Sequence, residues 1–206
     1  MPCCTVVSAA YFPPVEYFMA AACTGRLLIE GCGSYVKQTY RNRCRIYACD
    51  GVLSLTVPVS MPHGSKSEAE ALIDYSKPWL QQHWRALVSA YRTSAFFEYY
   101  QDDIQEILAS RPAHLLELDL RLTVLMLRLL GLRCEVGVTT DFVPVYDAGY
   151  LDLRESFHPK KAVPEEFRNR LRPYYQVFSE RYGFIPGLSA LDLLFNEGPD
   201  AVSYLL

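Results

Sequence analysis

Arg43-Cys44-Arg45-Ile46-Tyr47-Ala48-Cys49-Asp50-Gly51-Val52-Leu53-Ser54-Leu55-Thr56-Val57-Pro58-Val59 is the stretch that decides the fold class. Two runs of β-forming residues flank Asp50-Gly51, a pair suited to the positive φ values of a type I′ turn. Leu53, Leu55, Val57 and Val59 fall on alternate positions, so the spacing predicts a hairpin with one buried face. Upstream, residues 3–9 read as a β-branched strand that Tyr11-Phe12-Pro13-Pro14 ends. Val15 to Cys23 reads as a short helix stopped near Gly25, and Arg26-Leu27-Leu28-Ile29-Glu30 as a second strand.

Downstream, residues 61–71 are polar and small, hence a loop. Three helices follow. Ser76 is placed to cap the first, with Pro78 in its opening turn and Leu80, Trp84, Leu87, Val88 and Tyr91 as its apolar stripe. Ser94 is placed to cap the second, whose stripe is Phe97, Tyr100, Ile104, Ile107 and Leu108. Residues 113–130 fit both periods, but their length and Leu-rich content favour a helix that Gly131 ends. Residues 132–139 read as a strand, 140–165 as loop, 174–181 as a short helix, and a last helix begins after Ser189. The expectation is a mixed α/β chain: one domain over 1–206, with a small sheet including the hairpin at about 43–59, packed with several helices.

The 206 residues carry 20 Lys plus Arg against 23 Asp plus Glu, which argues against a globally basic nucleic-acid binder. The segment Leu115 to Leu130 contains Glu117, Asp119, Arg121 and Arg128, so it reads as core rather than a membrane span. No signal-peptide pattern opens the sequence. Seven cysteines without a Cys-x-x-Cys pair point to a reducing, cytoplasmic setting. Cys23, Cys32, Cys44 and Cys49 read as inert core thiols. The four histidines show no metal-ligand spacing, and no phosphate loop, dinucleotide glycine fingerprint or nucleophile elbow occurs. The expectation is therefore no metal and no cofactor.

Local charge is different. Lys37-Gln38-Thr39-Tyr40-Arg41-Asn42-Arg43-Cys44-Arg45 holds four cations in nine residues and no acid. In an extended chain Lys37, Arg41, Arg43 and Arg45 share a face; in a helix Lys37, Arg41 and Arg45 still align. Such clustering repels itself unless something negative neutralises it. One reading is a phosphate or carboxylate pocket, with Gln38, Tyr40 and Asn42 adding polar groups. The other is a solvated face, or cations paired with Asp102, Asp103 and Glu106. His83 reads either as a hydrogen-bonded core residue or as an acid–base group. Ser189 and Asp192 have the spacing of a helix cap, which outweighs a catalytic reading.

Several of these segments together resemble the WbqC-like family. They are Tyr11-Phe12-Pro13-Pro14 with Tyr17-Phe18, Lys37 through Arg43, Leu55-Thr56-Val57-Pro58-Val59, and Trp79 with His83. Ser89-Ala90-Tyr91, Phe96-Phe97-Glu98-Tyr99-Tyr100 and Leu188 through Gly198 complete the set, in order from about residue 6 to 204. The chain is similar to the compact members; the Gln-Pro pair that opens the longer ones is absent, and Gly187 stands where Asn is expected. The resemblance implies a bacterial protein of surface-polysaccharide loci and a transferase moving an acyl or aminoacyl group onto an amino sugar. It implies a phosphate-bearing partner such as a sugar nucleotide, with the anion role carried by Lys37, Arg41 and Arg43 of the motif, beside the polar groups of Gln38, Tyr40 and Asn42 read above. His83 would then be the base, and Asp192 would either orient it or merely cap its helix. A non-catalytic nucleotide- or RNA-binding module, or an accessory protein without activity, are the alternatives.

Overall fold

The computed structural model describes residues 2–206. Strand β1 (Cys4–Ser8) is rich in β-branched residues, and Val6 and Val7 are fully buried, as expected for a strand covered on both faces. Pro14 precedes α1 (Val15–Thr24), and Gly25 ends it in the left-handed region (φ 67°), its N–H bonded to the Ala21 carbonyl. β2 (Arg26–Glu30) then returns parallel to β1, with Val6 opposite Leu28. β7 (Glu135–Val138) adds parallel to β2, and β8 (Tyr150–Asp152) adds parallel to the free side of β1. The resulting four-stranded sheet has the order β7-β2-β1-β8.

The hairpin forms, as β3 (Arg43–Ala48) against β4 (Gly51–Thr56), in a two-stranded sheet of its own. Its turn is not type I′: Ala48 pairs with Gly51, so the central residues are Cys49 and Asp50, and neither has the positive φ that turn needs, while Gly51 just after them has φ 100°. Burial falls on Cys44, Ile46 and Tyr47 of β3 and on Leu55, while Leu53 of β4 is 39% exposed. β5 (Val59–Ser60) and β6 (Leu72–Ile73) make a second small antiparallel pair.

The three predicted helices are α2 (Trp79–Tyr91), α3 (Phe97–Ala109) and α4 (Leu115–Leu129). Their caps differ from expectation. Pro78, not Ser76, stands at the start of α2, and the Ser94 hydroxyl donates back to the Tyr91 carbonyl, closing α2 rather than opening α3. The segment 140–165 is not all loop, since it contains β8. The helix expected over 174–181 shrinks to α6 (Ser179–Tyr182), because Tyr174 and Gln176 turn inward to the Asp192 carboxylate. α5 (Glu165–Arg170) and α7 (Ala190–Glu197) complete the chain. Ser189 caps α7, its hydroxyl accepting from the Leu191 N–H. Rings of Tyr91, Phe97 and Phe195 join α2, α3 and α7 in one core.

Gly198, after α7, has φ 54°, and a Cβ there would lie 2.5 Å from the Phe96 ring. Gly198→Ala is expected to destabilise the protein by about 2–3 kcal/mol through left-handed strain plus overpacking. Urea unfolding reads this directly; an unchanged midpoint would refute it.

Candidate functional site

The chain runs from β1 to β2 to β7 on one side of the sheet, then crosses to β8 on the other side of β1. In open parallel sheets, the crevice beyond the strand ends at such a reversal is where ligands bind. A cleft of about 710 Å³ lies there, lined by Ser8, Glu30, Arg41, Asp152, Arg154 and Glu155, with Phe142 beside them. Ser8, Glu30 and Asp152 are the last residues of β1, β2 and β8.

Arg154 is fully engaged. Its Nε and Nη2 donate to Asp152 at 2.9 and 2.6 Å, its Nη1 to Glu30 at 3.1 Å, and both terminal nitrogens reach loop carbonyls. Hydrogen bonding to Arg154 holds the Asp152 carboxyl below its usual range. Glu30 also accepts from the Cys32 N–H and the Thr139 hydroxyl, so this buried carboxylate is well satisfied.

Arg41 is held differently. The Thr39 side chain accepts from the Arg41 N–H and so starts a single 3₁₀ turn over Tyr40–Asn42. That turn sends Arg41 inward, where Nε donates to Glu68 at 2.6 Å and Nη2 to Ser8 at 2.9 Å. Nη1 has no hydrogen-bond partner among the described residues, leaving one corner of the guanidinium for a ligand. Burial pushes the Glu68 carboxyl up to about 7, against the pull of Arg41. Asp119 on α4 is also buried, with neither carboxyl oxygen hydrogen-bonded. Burial, reinforced by Glu68, drives it well above the usual carboxylate range. With Glu68 only partly ionised near neutrality, the charge of Arg41 is not fully cancelled.

Of the basic run, the cleft takes Arg41 alone. Lys37 and Gln38 are exposed, and Gln38 accepts from Lys160 at 2.7 Å. Tyr40 is buried and donates to the Gly187 carbonyl, and the Asn42 amide donates to the Val57 carbonyl. Arg43 sits in β3 opposite Thr56, with its Nε buried and without a partner. The 3₁₀ turn breaks the alternation that would have aligned these cations. Nor do they pair with the acids of α3: Asp103 takes Arg128, and the acid beside Arg41 is Glu68.

His83 and Asp192 lie outside the cleft and have separate partners. The His83 Nδ1 is 3.0 Å from the Tyr11 hydroxyl, and burial pulls the imidazole down to about 4, which keeps it neutral. Asp192 accepts from Tyr174 and Gln176, and burial pushes it up to about 6. Cys44 is core, but Cys23, Cys32 and Cys49 are exposed, contrary to expectation, and Cys32 lines the cleft. The sequence reading missed Glu30, Phe142, Arg154 and Glu155. The alternation of Leu151 and Leu153 with polar residues is the signal that could have revealed β8 and the residues after it.

A model of the WbqC-like protein family matches residues 9–153, a span that includes Glu30, Arg41 and Asp152. The chain belongs to the WbqC-like protein family. This WbqC-like chain is also similar to the uncharacterized protein Rv1507c of Mycobacterium tuberculosis, with 29% identity over 231 residues, covering 97% of this chain and 96% of that protein. No solved structure matches it. Among the described residues, no helix is long and apolar enough to cross a membrane.

Proposed function

We propose that this protein is a transferase that places an acyl or aminoacyl group on the amino group of a phosphate-bearing sugar, such as a sugar nucleotide used for surface polysaccharide. The observation that carries this reading is the Arg41 guanidinium, anchored by Glu68 and Ser8 with Nη1 left open in a cleft at the strand reversal. A guanidinium so held presents a planar donor edge to a phosphate oxygen. Glu155 lines the same cleft, and its carboxylate has no hydrogen-bond or ion-pair partner among the described residues. In the reaction the sugar amine attacks the acyl carbonyl carbon. The C–N bond forms, the bond to the donor's leaving group breaks with its electron pair, and Glu155 takes the amine proton. His83 and Asp192 are not needed, since each is committed to the core. The carboxylates of Glu30, Asp152 and Glu155 along the cleft suit a small ligand with amino and hydroxyl groups better than a long polyanion.

The test is calorimetric titration with a nucleoside-diphosphate amino sugar. Arg41→Lys keeps the charge but loses the fork, and is expected to weaken binding about 10-fold or more. Arg43→Lys, outside the cleft, is expected to bind as the wild type does. Equal affinity in wild type and Arg41→Lys would remove the assignment. A second reading, an accessory protein in which Arg41 only balances Glu68, has the 2.6 Å pair in its favour. It predicts that Arg41→Lys loses stability and no affinity.

A further inference from the structure

We infer that Phe142 is a stacking platform for a nucleobase, so that the phosphate-bearing ligand of the cleft is a nucleotide. Phe142 lines the cleft with 56% of its surface exposed. The loop that carries it is pinned. Arg154 donates to the carbonyls of Val143 at 2.8 Å and Pro144 at 3.3 Å, the two residues after Phe142. The Arg154 guanidinium carbon lies over the Phe142 ring at 5.6 Å and over the Tyr146 ring at 4.8 Å. Tyr146 in turn packs 4.9 Å from Tyr150 of β8. The same guanidinium is fixed by Glu30 at the end of β2 and Asp152 at the end of β8.

The loop is thus held by the strand ends that build the cleft, and little conformational freedom is left to be lost on binding. One face is taken by a cation, which draws electron density from the ring. A ring so depleted stacks well on an electron-rich flat base and poorly on the C–H groups of a sugar, which seek an electron-rich face. A cleft of about 710 Å³ is within the range, roughly 300–1,000 Å³, that encloses ligands of nucleotide size. This inference rests on the phosphate-binding reading of Arg41 for the other end of the ligand.

The experiment measures binding of ADP, UDP, GDP and CDP, and of inorganic pyrophosphate, to wild type, Phe142→Ala, Phe142→Trp and Arg41→Lys. Loss of one base–aromatic stack is expected to weaken the preferred nucleotide about 5- to 150-fold in Phe142→Ala. Phe142→Trp should retain it, and pyrophosphate affinity should be the same in wild type and Phe142→Ala. Equal nucleotide affinity in wild type and Phe142→Ala overturns the platform, as does a matching loss for pyrophosphate or no nucleotide binding by the wild type. Unchanged pyrophosphate affinity in Arg41→Lys overturns the phosphate reading instead. A Phe142-dependent nucleotide affinity would still stand in that case.

Discussion

Arg41→Ala is expected to cost about 3–5 kcal/mol of folding free energy at pH 8, the usual loss when one partner of a buried ion pair is removed. The guanidinium and the Glu68 carboxylate are 2.6 Å apart and both buried, so truncation leaves a carboxylate with neither solvent nor a counter-charge. Glu68 Oε1 already lacks a partner, and Asp119 beyond it adds repulsion whenever it ionises. The way out is a proton. Because burial already lifts Glu68 to about 7, the variant can neutralise the site cheaply in mild acid. The loss should therefore shrink markedly at pH 5, and Arg41→Ala/Glu68→Gln should recover much of it at pH 8. Urea unfolding at the two pH values checks this, and an equal loss at both would show that the pair is not what Arg41 contributes.

The wild type itself is expected to lose stability as pH rises from about 6.5 to 8. Glu68, raised from 4.5 to about 7, and Asp192, raised from 3.8 to about 6, hold protons in the folded protein that the unfolded chain has released. Glu16 and Asp119 are shifted upward as well, in each case chiefly by burial. Where the native state binds more protons, stability falls with rising pH. For Glu68 the contribution is present below pH 4.5 and lost as pH passes 7, on the order of 3 kcal/mol in all. His83 acts in the opposite sense. Its folded value, down to about 4 from 6.5, adds stability between those two pH values and nothing further above them. The histidine masks part of the decline in acid, so the clearest fall should come just above pH 6.5. A melting-temperature series at constant ionic strength reads it. A rise over that interval would contradict the assignment, and Glu68→Gln should flatten the curve.

The parts of the fold that the sequence announced are those with local causes. The chain bends between two β-forming runs beside Asp50-Gly51, one residue earlier than that pair suggests, and Gly25 and Gly131 stop helices where left-handed backbone is needed. Leu115, Leu118, Leu122 and Leu125 all reach the core of α4, and Ser189 caps α7 by the spacing that suggested it. The misses have non-local causes. β8 is three residues long and exists because it pairs with β1, far away in the chain. No local pattern specifies that partner. The cations of residues 37–45 share one face only in a regular strand or helix, and the 3₁₀ turn that the Arg41 N–H to Thr39 hydroxyl bond starts separates them. Composition points to the acids of α3 as their partners, whereas Glu68 comes from a stretch whose polar composition reads as loop. Within the candidate site, only Arg41 was legible beforehand. Glu30, Arg154 and Glu155 owe their meeting to the sheet order, which charge clustering in the chain does not encode.

The parallel pairing of Cys4 with Tyr150 has a consequence for biosynthesis. A ribosome delivers β1 well before its outer neighbour, so a nascent chain ending before Tyr150 has one wall of the crevice missing. Throughout that interval the Thr- and Val-rich margin of β1 keeps its outward amides and carbonyls open, a template for any passing strand until the chain's own segment arrives.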